Sequence, residues 1–216
     1  MFHPLFGVLV VAVCAATASA AELLFEDDFK EKLGPGWSWT REQNAAWRVT
    51  TNGLEVLVQP GNMWGGQNNA RNVLVRPAPA TGETLEIQVT VSNTPTNQYE
   101  QVNLVWYYDD GDMVKLGQEL VDGQLSVVMG REEKDKTRTI AIVPMSWTKL
   151  DLRAVVKDGT IHGYFRKDEH SPWLDVGECT LPAPSDVKPK LSLQCYQGAP
   201  GVEHWARITG FRVLKK

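Results

Sequence analysis

The side chains best suited to chemistry lie in one short stretch, Tyr107-Tyr108-Asp109-Asp110-Gly111-Asp112-Met113-Val114-Lys115-Leu116-Gly117-Gln118-Glu119-Leu120. It reads as a strand, a tight acidic-glycine turn and a returning strand. Side chains alternate across a strand, so Gln101, Asn103, Val105 and Tyr107 share one face while Val102, Leu104 and Trp106 share the other. The second set is the more apolar and is expected in the core. The first combines amides with a phenol, the chemistry that stacks on a sugar ring and pairs with its hydroxyls. Lys115 and Glu119 share parity on the returning strand and are expected to face the same groove. Trp64 stands in Gly61-Asn62-Met63-Trp64-Gly65-Gly66-Gln67-Asn68-Asn69, a polar loop that offers no core reason for a large ring. Trp64, Asn103, Tyr107, Lys115 and Glu119 are therefore the candidate ligand contacts.

Catalysis on a glycosidic bond asks for more, normally two carboxylates flanking the scissile bond. No strand here carries alternating carboxylates of the Glu-x-Asp-x-Glu kind; Glu86 and Glu55 are each alone in their strands, and Asp122 belongs to a turn. If the domain is an enzyme, Glu119 is its candidate carboxylate, with a partner supplied by a distant strand. The histidines have no ligand spacing, and Asp28, next to Asp27, is the one weak candidate for calcium; otherwise no cofactor is expected. There is no phosphate loop opening a helix and no nucleophile elbow.

These residues need strands to position them, and the pattern of the chain supplies strands. Leu85-Ile87-Val89-Val91, Leu150-Leu152-Ala154-Val156 and Leu191-Leu193-Cys195 alternate with polar neighbours, which gives each strand one face to bury. Asn52-Gly53, Asp122-Gly123 and Asp158-Gly159 mark hairpins. About a dozen strands at sandwich spacing predict two packed antiparallel sheets in one domain over residues 21–216. The mixed-sign run from Arg131 to Arg138 reads as a solvated loop.

Residues 1–20 read as a signal peptide, with an apolar run from Phe6 to Ala16 and the small-residue site Ala18-Ser19-Ala20. An uncleaved anchor, or a lipoprotein acylated at Cys14, are the alternatives. A secreted or periplasmic destination is expected, with no membrane span in the mature chain. The net charge of −4 and the scattered basic residues speak against a nucleic-acid partner. Cys179 and Cys195 remain after cleavage, as a disulfide or as two buried thiols.

Several motifs in order, Phe25-Glu26-Asp27-Asp28-Phe29, Gly36-Trp37-Ser38-Trp39, Trp47-Arg48-Val49, Asn72-Val73-Leu74-Val75-Arg76, the Tyr107–Glu119 hairpin and Thr209-Gly210-Phe211-Arg212-Val213, carry a resemblance. The chain resembles concanavalin A-like jelly-roll domains of the family that includes the yeast regulation-of-enolase protein. It is also similar to the C-terminal β-sandwich domains of family 43 glycosidases. The resemblance implies an all-β, two-sheet antiparallel jelly roll with a concave face assigned to carbohydrate. It also implies calcium near the chain ends in some relatives, but Gly210 replaces the acidic residue expected before the closing Phe. An oligo- or polysaccharide is the expected partner, bound without catalysis. A glycoside hydrolase or polysaccharide lyase on the same fold, and an envelope structural or protein-interaction domain, are the two alternatives.

Overall fold

Strict alternation of apolar and polar side chains becomes, in the computed structural model, fifteen strands among the described residues, with no α-helix among them. The structure describes residues 21–80 and 82–216; the leader expected over residues 1–20 lies outside them. In chain order the strands are β1 (Glu22–Asp27), β2 (Ser38–Thr40), β3 (Trp47–Thr50), β4 (Gly53–Leu57), β5 (Val73–Pro77), β6 (Leu85–Ser92), β7 (Gln101–Asp109) and β8 (Asp112–Val121). There follow β9 (Gln124–Glu133), β10 (Lys136–Pro144), β11 (Lys149–Lys157), β12 (Thr160–Arg166), β13 (Leu174–Thr180), β14 (Lys190–Tyr196) and β15 (Trp205–Lys215). Asn44–Ala46 forms a single 3-10 turn. Among the described residues no helix is long and apolar enough to cross a membrane.

The strands make two antiparallel sheets. One runs β13-β12-β11-β6-β15-β4-β3, with β1 added beside β15; the other runs β10-β9-β8-β7-β14-β5-β2. Their inner faces share one core. Leu85, Ile87, Val89 and Val91 of β6 and Leu150, Leu152, Ala154 and Val156 of β11 meet Val102, Leu104 and Trp106 of β7 and Leu191, Leu193 and Cys195 of β14. These are the apolar parities of the sequence, and burying them is the main favourable term in holding the sheets together. A polar residue sits among them: Gln118 of β8 is fully buried and donates its amide to the Trp147 carbonyl at 2.9 Å.

Turn chemistry sets the hairpins. Asp122 and Gly123, and again Asp158 and Gly159, take left-handed backbone at both positions, which matches the twist of the flanking strands. The run from Arg131 to Arg138 departs from the expected solvated loop. It continues β9 and begins β10, joined by Lys134 and Asp135, both at positive φ without a glycine. That turn carries no Asn-Gly or Asp-Gly signal, and its charges disguise the alternation around it. Glu132, inside the run, is fully buried.

Of the two alternatives for the cysteines, the structure has the buried thiols. Cys179 belongs to β13, the edge of one sheet, and Cys195 to β14, in the middle of the other; both are buried and free. Nearness in sequence of two strands does not make them neighbours in a sandwich, where the chain crosses between layers. Burial pushes both thiols up.

Candidate functional site

The hairpin of β7 and β8 pairs Gln101 with Glu119, Asn103 with Gly117, Val105 with Lys115 and Tyr107 with Met113. All eight face away from the intersheet core, on the outer face of the seven-stranded sheet. Residues 58–72, between β4 and β5, fold across part of this face. Met63, Ala70, Val73, Val75, Val105, Tyr107, Met113 and Tyr196 form a second apolar cluster beneath them, with Trp64 packed at its edge.

Hydrogen bonds pin this loop. The Asn62 side chain accepts from the Trp64 amide at 3.0 Å and donates to the Trp64 carbonyl at 2.8 Å. Arg41 donates to the Ala70 carbonyl at 2.7 Å and grips the Asp110 carboxylate with two nitrogens, at 2.6 and 3.2 Å. The other anchor is Glu132, which accepts from the Gly65 amide at 3.0 Å. Gly65 and Gly66 both take positive φ, and this turn presents the Gly65 amide to the carboxylate. The second Glu132 oxygen is buried without a partner, and burial pushes the carboxyl up to about 7. Trp64 itself lies on Gly130 of β9. A Cβ at Gly130 would stand 2.4 Å from the ring, so only glycine leaves room for it.

Beside Trp64 is a polar cluster. The Lys115 ammonium sits 4.7 Å from the Trp64 ring centroid and donates to Glu119 at 2.9 Å and to the Gln101 side-chain oxygen at 2.7 Å. The same Gln101 oxygen accepts from Asn103 at 3.1 Å. Lys115 and Glu119 are almost fully buried, so this ion pair is held out of water rather than on the surface. A cavity of about 550 Å³ opens above it, lined by Trp64, Tyr99, Gln101, Lys115, Glu119 and Ile142 among others. That volume suits a ligand the size of one or a few sugar rings.

The five sequence candidates thus divide. Trp64, Lys115 and Glu119 converge on the cavity. Asn103 is fully buried, its side chain filling the space that a Cβ on Gly117 would need, and it reaches the cavity only by supporting Gln101. Tyr107 is 5% exposed in the second apolar cluster, and its hydroxyl donates to Asp110 at 2.6 Å. Burial and the Asp110 charge push that phenol well above its usual range. Both side chains have the expected parity; what displaces them from ligand contact is the loop that covers their end of the face. Sequence reasoning missed Gln101 as a contact, and also Tyr99, which is 47% exposed at the rim. Tyr99 gave the same signal as Trp64, an aromatic in the polar run Asn97-Gln98-Tyr99 just ahead of a strand. Asp28 is exposed and pairs with Lys30 at 3.2 Å, and among the described residues no group of three His, Cys, Asp or Glu is assembled to hold a metal.

Comparison with known proteins agrees with this architecture. Residues 26–185 match the family model of the beta xylosidase C-terminal concanavalin A-like domain. The chain belongs to that family. It is a two-sheet jelly-roll sandwich of the concanavalin A-like type. Among solved structures it is similar to the GH43 protein BlXynB of Bacillus licheniformis, with TM-score 0.77, 18% identity, and cover of 88% of this chain and 39% of that one. It is similar also to the xylan beta-1,4-xylosidase of Bacillus halodurans, with TM-score 0.75, 16% identity, and cover of 95% and 42%. A functionally unknown protein of Saccharomyces cerevisiae aligns over 84% of this chain and 97% of its own length, with TM-score 0.61 and 15% identity. The chain spans about two-fifths of the length of the two Bacillus proteins. No curated protein matches it.

Proposed function

We propose that this domain binds carbohydrate in the cavity on the outer face of the seven-stranded sheet and does not cleave it. The observation that carries the reading is the meeting of Trp64, Tyr99, Gln101, Lys115 and Glu119 around one cavity of about 550 Å³. Two aromatic faces at the rim offer stacking to the apolar side of a pyranose ring. An amide, an ammonium and a carboxylate below offer donors and acceptors to its hydroxyls, already fixed by their mutual hydrogen bonds. Fixed side chains lose little entropy when a ligand arrives. Similarity to the C-terminal domain of xylosidases supports a sugar ligand and makes β-1,4-linked xylo-oligosaccharides the first to try.

Binding without turnover is favoured by the state of the carboxylates. Glu119 is tied to Lys115, Asp122 lies at a hairpin turn, and Glu132 is buried under the loop. Glu119 and Asp122 both line the cavity, but the first is held in its ion pair and the second accepts from Gln98 at the turn, so neither stands free as an acid or a nucleophile. Export after removal of residues 1–20 completes the proposal; mass spectrometry of the exported chain is expected to find Ala21 at its start.

The test is calorimetric titration of xylo-oligosaccharides into the chain and into Trp64→Ala and Gly130→Ala. Trp64→Ala removes the stacking face. Gly130→Ala keeps the ring but displaces it from its seat. Each is expected to weaken binding by roughly ten-fold or more, the worth of one aromatic platform. Equal affinity in all three would remove the cavity from the site. Release of reducing ends that ceases in Glu119→Gln would instead make the domain a hydrolase.

A further inference from the structure

A second polar cavity, of about 480 Å³, lies on the outer face of the opposite sheet. Its floor is the pair Gln88 and Thr90 of β6, flanked across the sheet by Arg212 and Thr209 of β15 and by Asp151 of β11. The ladder of β15 slips between Thr209 and Arg212, where Gly210 takes a φ of 59°. This bulge, at the position where family motifs lead one to expect an acidic side chain, leaves the floor open beside the Thr90 hydroxyl.

The charges around this cavity are not all spent on one another. Asp151 is fully engaged, accepting from Thr90 at 2.7 Å and from Arg166 at 2.8 Å. Asp168 is turned into its own loop, accepting from Ser171 at 2.9 Å. Arg166 is further fixed by stacking 4.3 Å from the Trp173 ring. By contrast Arg212 reaches its nearest carboxylate, Glu26, only at 4.0 Å, and Lys149 and Lys167 enter no ion pair among the described residues. Gln88 spends its amide on Glu86 at 2.5 Å, which leaves its carbonyl to accept from a hydroxyl. Four cationic side chains, Lys149, Arg166, Lys167 and Arg212, thus face three carboxylates, Asp151, Asp168 and Glu169.

We infer that this cavity is a second binding site, for a sugar unit bearing a carboxylate, that is, a uronic acid residue. Arg212, only loosely held by Glu26, and the two lysines unpaired among the described residues can read one carboxylate, while Gln88 and the threonines meet the ring hydroxyls. The inference does not depend on the first cavity, because the two lie on opposite faces of the sandwich.

Titration with tri-galacturonic acid, and with neutral xylotriose as comparator, tests it. The acidic trimer is expected to bind, more weakly as salt is raised, and to lose about five-fold in affinity with Arg212→Gln and again with Lys149→Gln. Both side chains are exposed enough for the fold to survive their loss, and Trp64→Ala is expected to leave this binding unchanged. Absence of binding at millimolar trimer would overturn the inference. So would binding that Trp64→Ala abolishes and Arg212→Gln does not touch, since the acidic sugar would then occupy the first cavity.

Discussion

At the scale of single residues, the Lys115–Glu119 pair decides how the first cavity is to be understood. On an exposed strand such a pair would add little stability. Here both partners are nearly out of water, and a buried charge stripped of its partner is costly. Lys115→Met is therefore expected to destabilise the chain by about 3 kcal/mol, because Glu119 is left buried and unpaired. Lys115→Met combined with Glu119→Leu is expected to recover most of that loss, since two apolar groups need no partner. Chemical denaturation of both variants checks this, and equal losses in the single and double variants would contradict it. Lys115 and Glu119 were legible from parity alone. Their burial was not, because burial depends on the loop at residues 58–72, and nothing local in β8 announces which loop will cover it.

At the scale of elements, that loop and the β9–β10 hairpin form one device. Glu132 holds the amide of Gly65, and Trp64 lies on Gly130 two residues away on the same strand face. What sets the Glu132 proton is its burial, the nearby Gly65 and Gly66 backbone, the Asp135 carboxylate and the Lys115 ammonium. Its folded pKa, about 7, lies above the 4.5 of an ordinary glutamate. Folding therefore takes up a proton between those values, and stability falls as pH rises through that window. Below the window both states are protonated and the contribution is complete; above it both are ionised and the contribution is gone. Glu132→Gln keeps an acceptor for the amide and cannot titrate, so its melting temperature is expected to fall less than that of the unaltered chain between pH 5 and pH 8. The same fall in both would contradict the assignment. The sequence hid this element for a definite reason. Lys134-Asp135 makes a two-residue turn without glycine, and a run of charges there resembles solvated loop more than strand.

At the scale of the whole molecule, the period of two was enough to predict an all-β sandwich and to sort the inner faces. Leu85 to Val91 and Leu150 to Val156 lie in the core as their alternation demands. Three glycine-marked hairpins appear where Asn-Gly and Asp-Gly stood. Sheet order was another matter. It follows from long-range pairing, such as β14 between β7 and β5 and β15 between β6 and β4, which no local pattern encodes. That is why the pairing of Cys179 with Cys195 stayed open in the sequence, and why a covered end of a sheet face removed Tyr107 from ligand contact. A sandwich exposes two outer faces, and in this one each carries a polar cavity of similar size. The first is framed by aromatic rings, the second by unspent cations.

The most direct measurement of the central claim is amide and indole NMR during titration with a neutral xylo-oligosaccharide. The account predicts saturable shifts at the Trp64 indole and at the amides of Tyr99, Gln101, Glu119 and Ile142, with the outer face of β6, β11 and β15 unmoved. Shifts confined to that opposite face, or no shifts at ligand concentrations that bind, would contradict it.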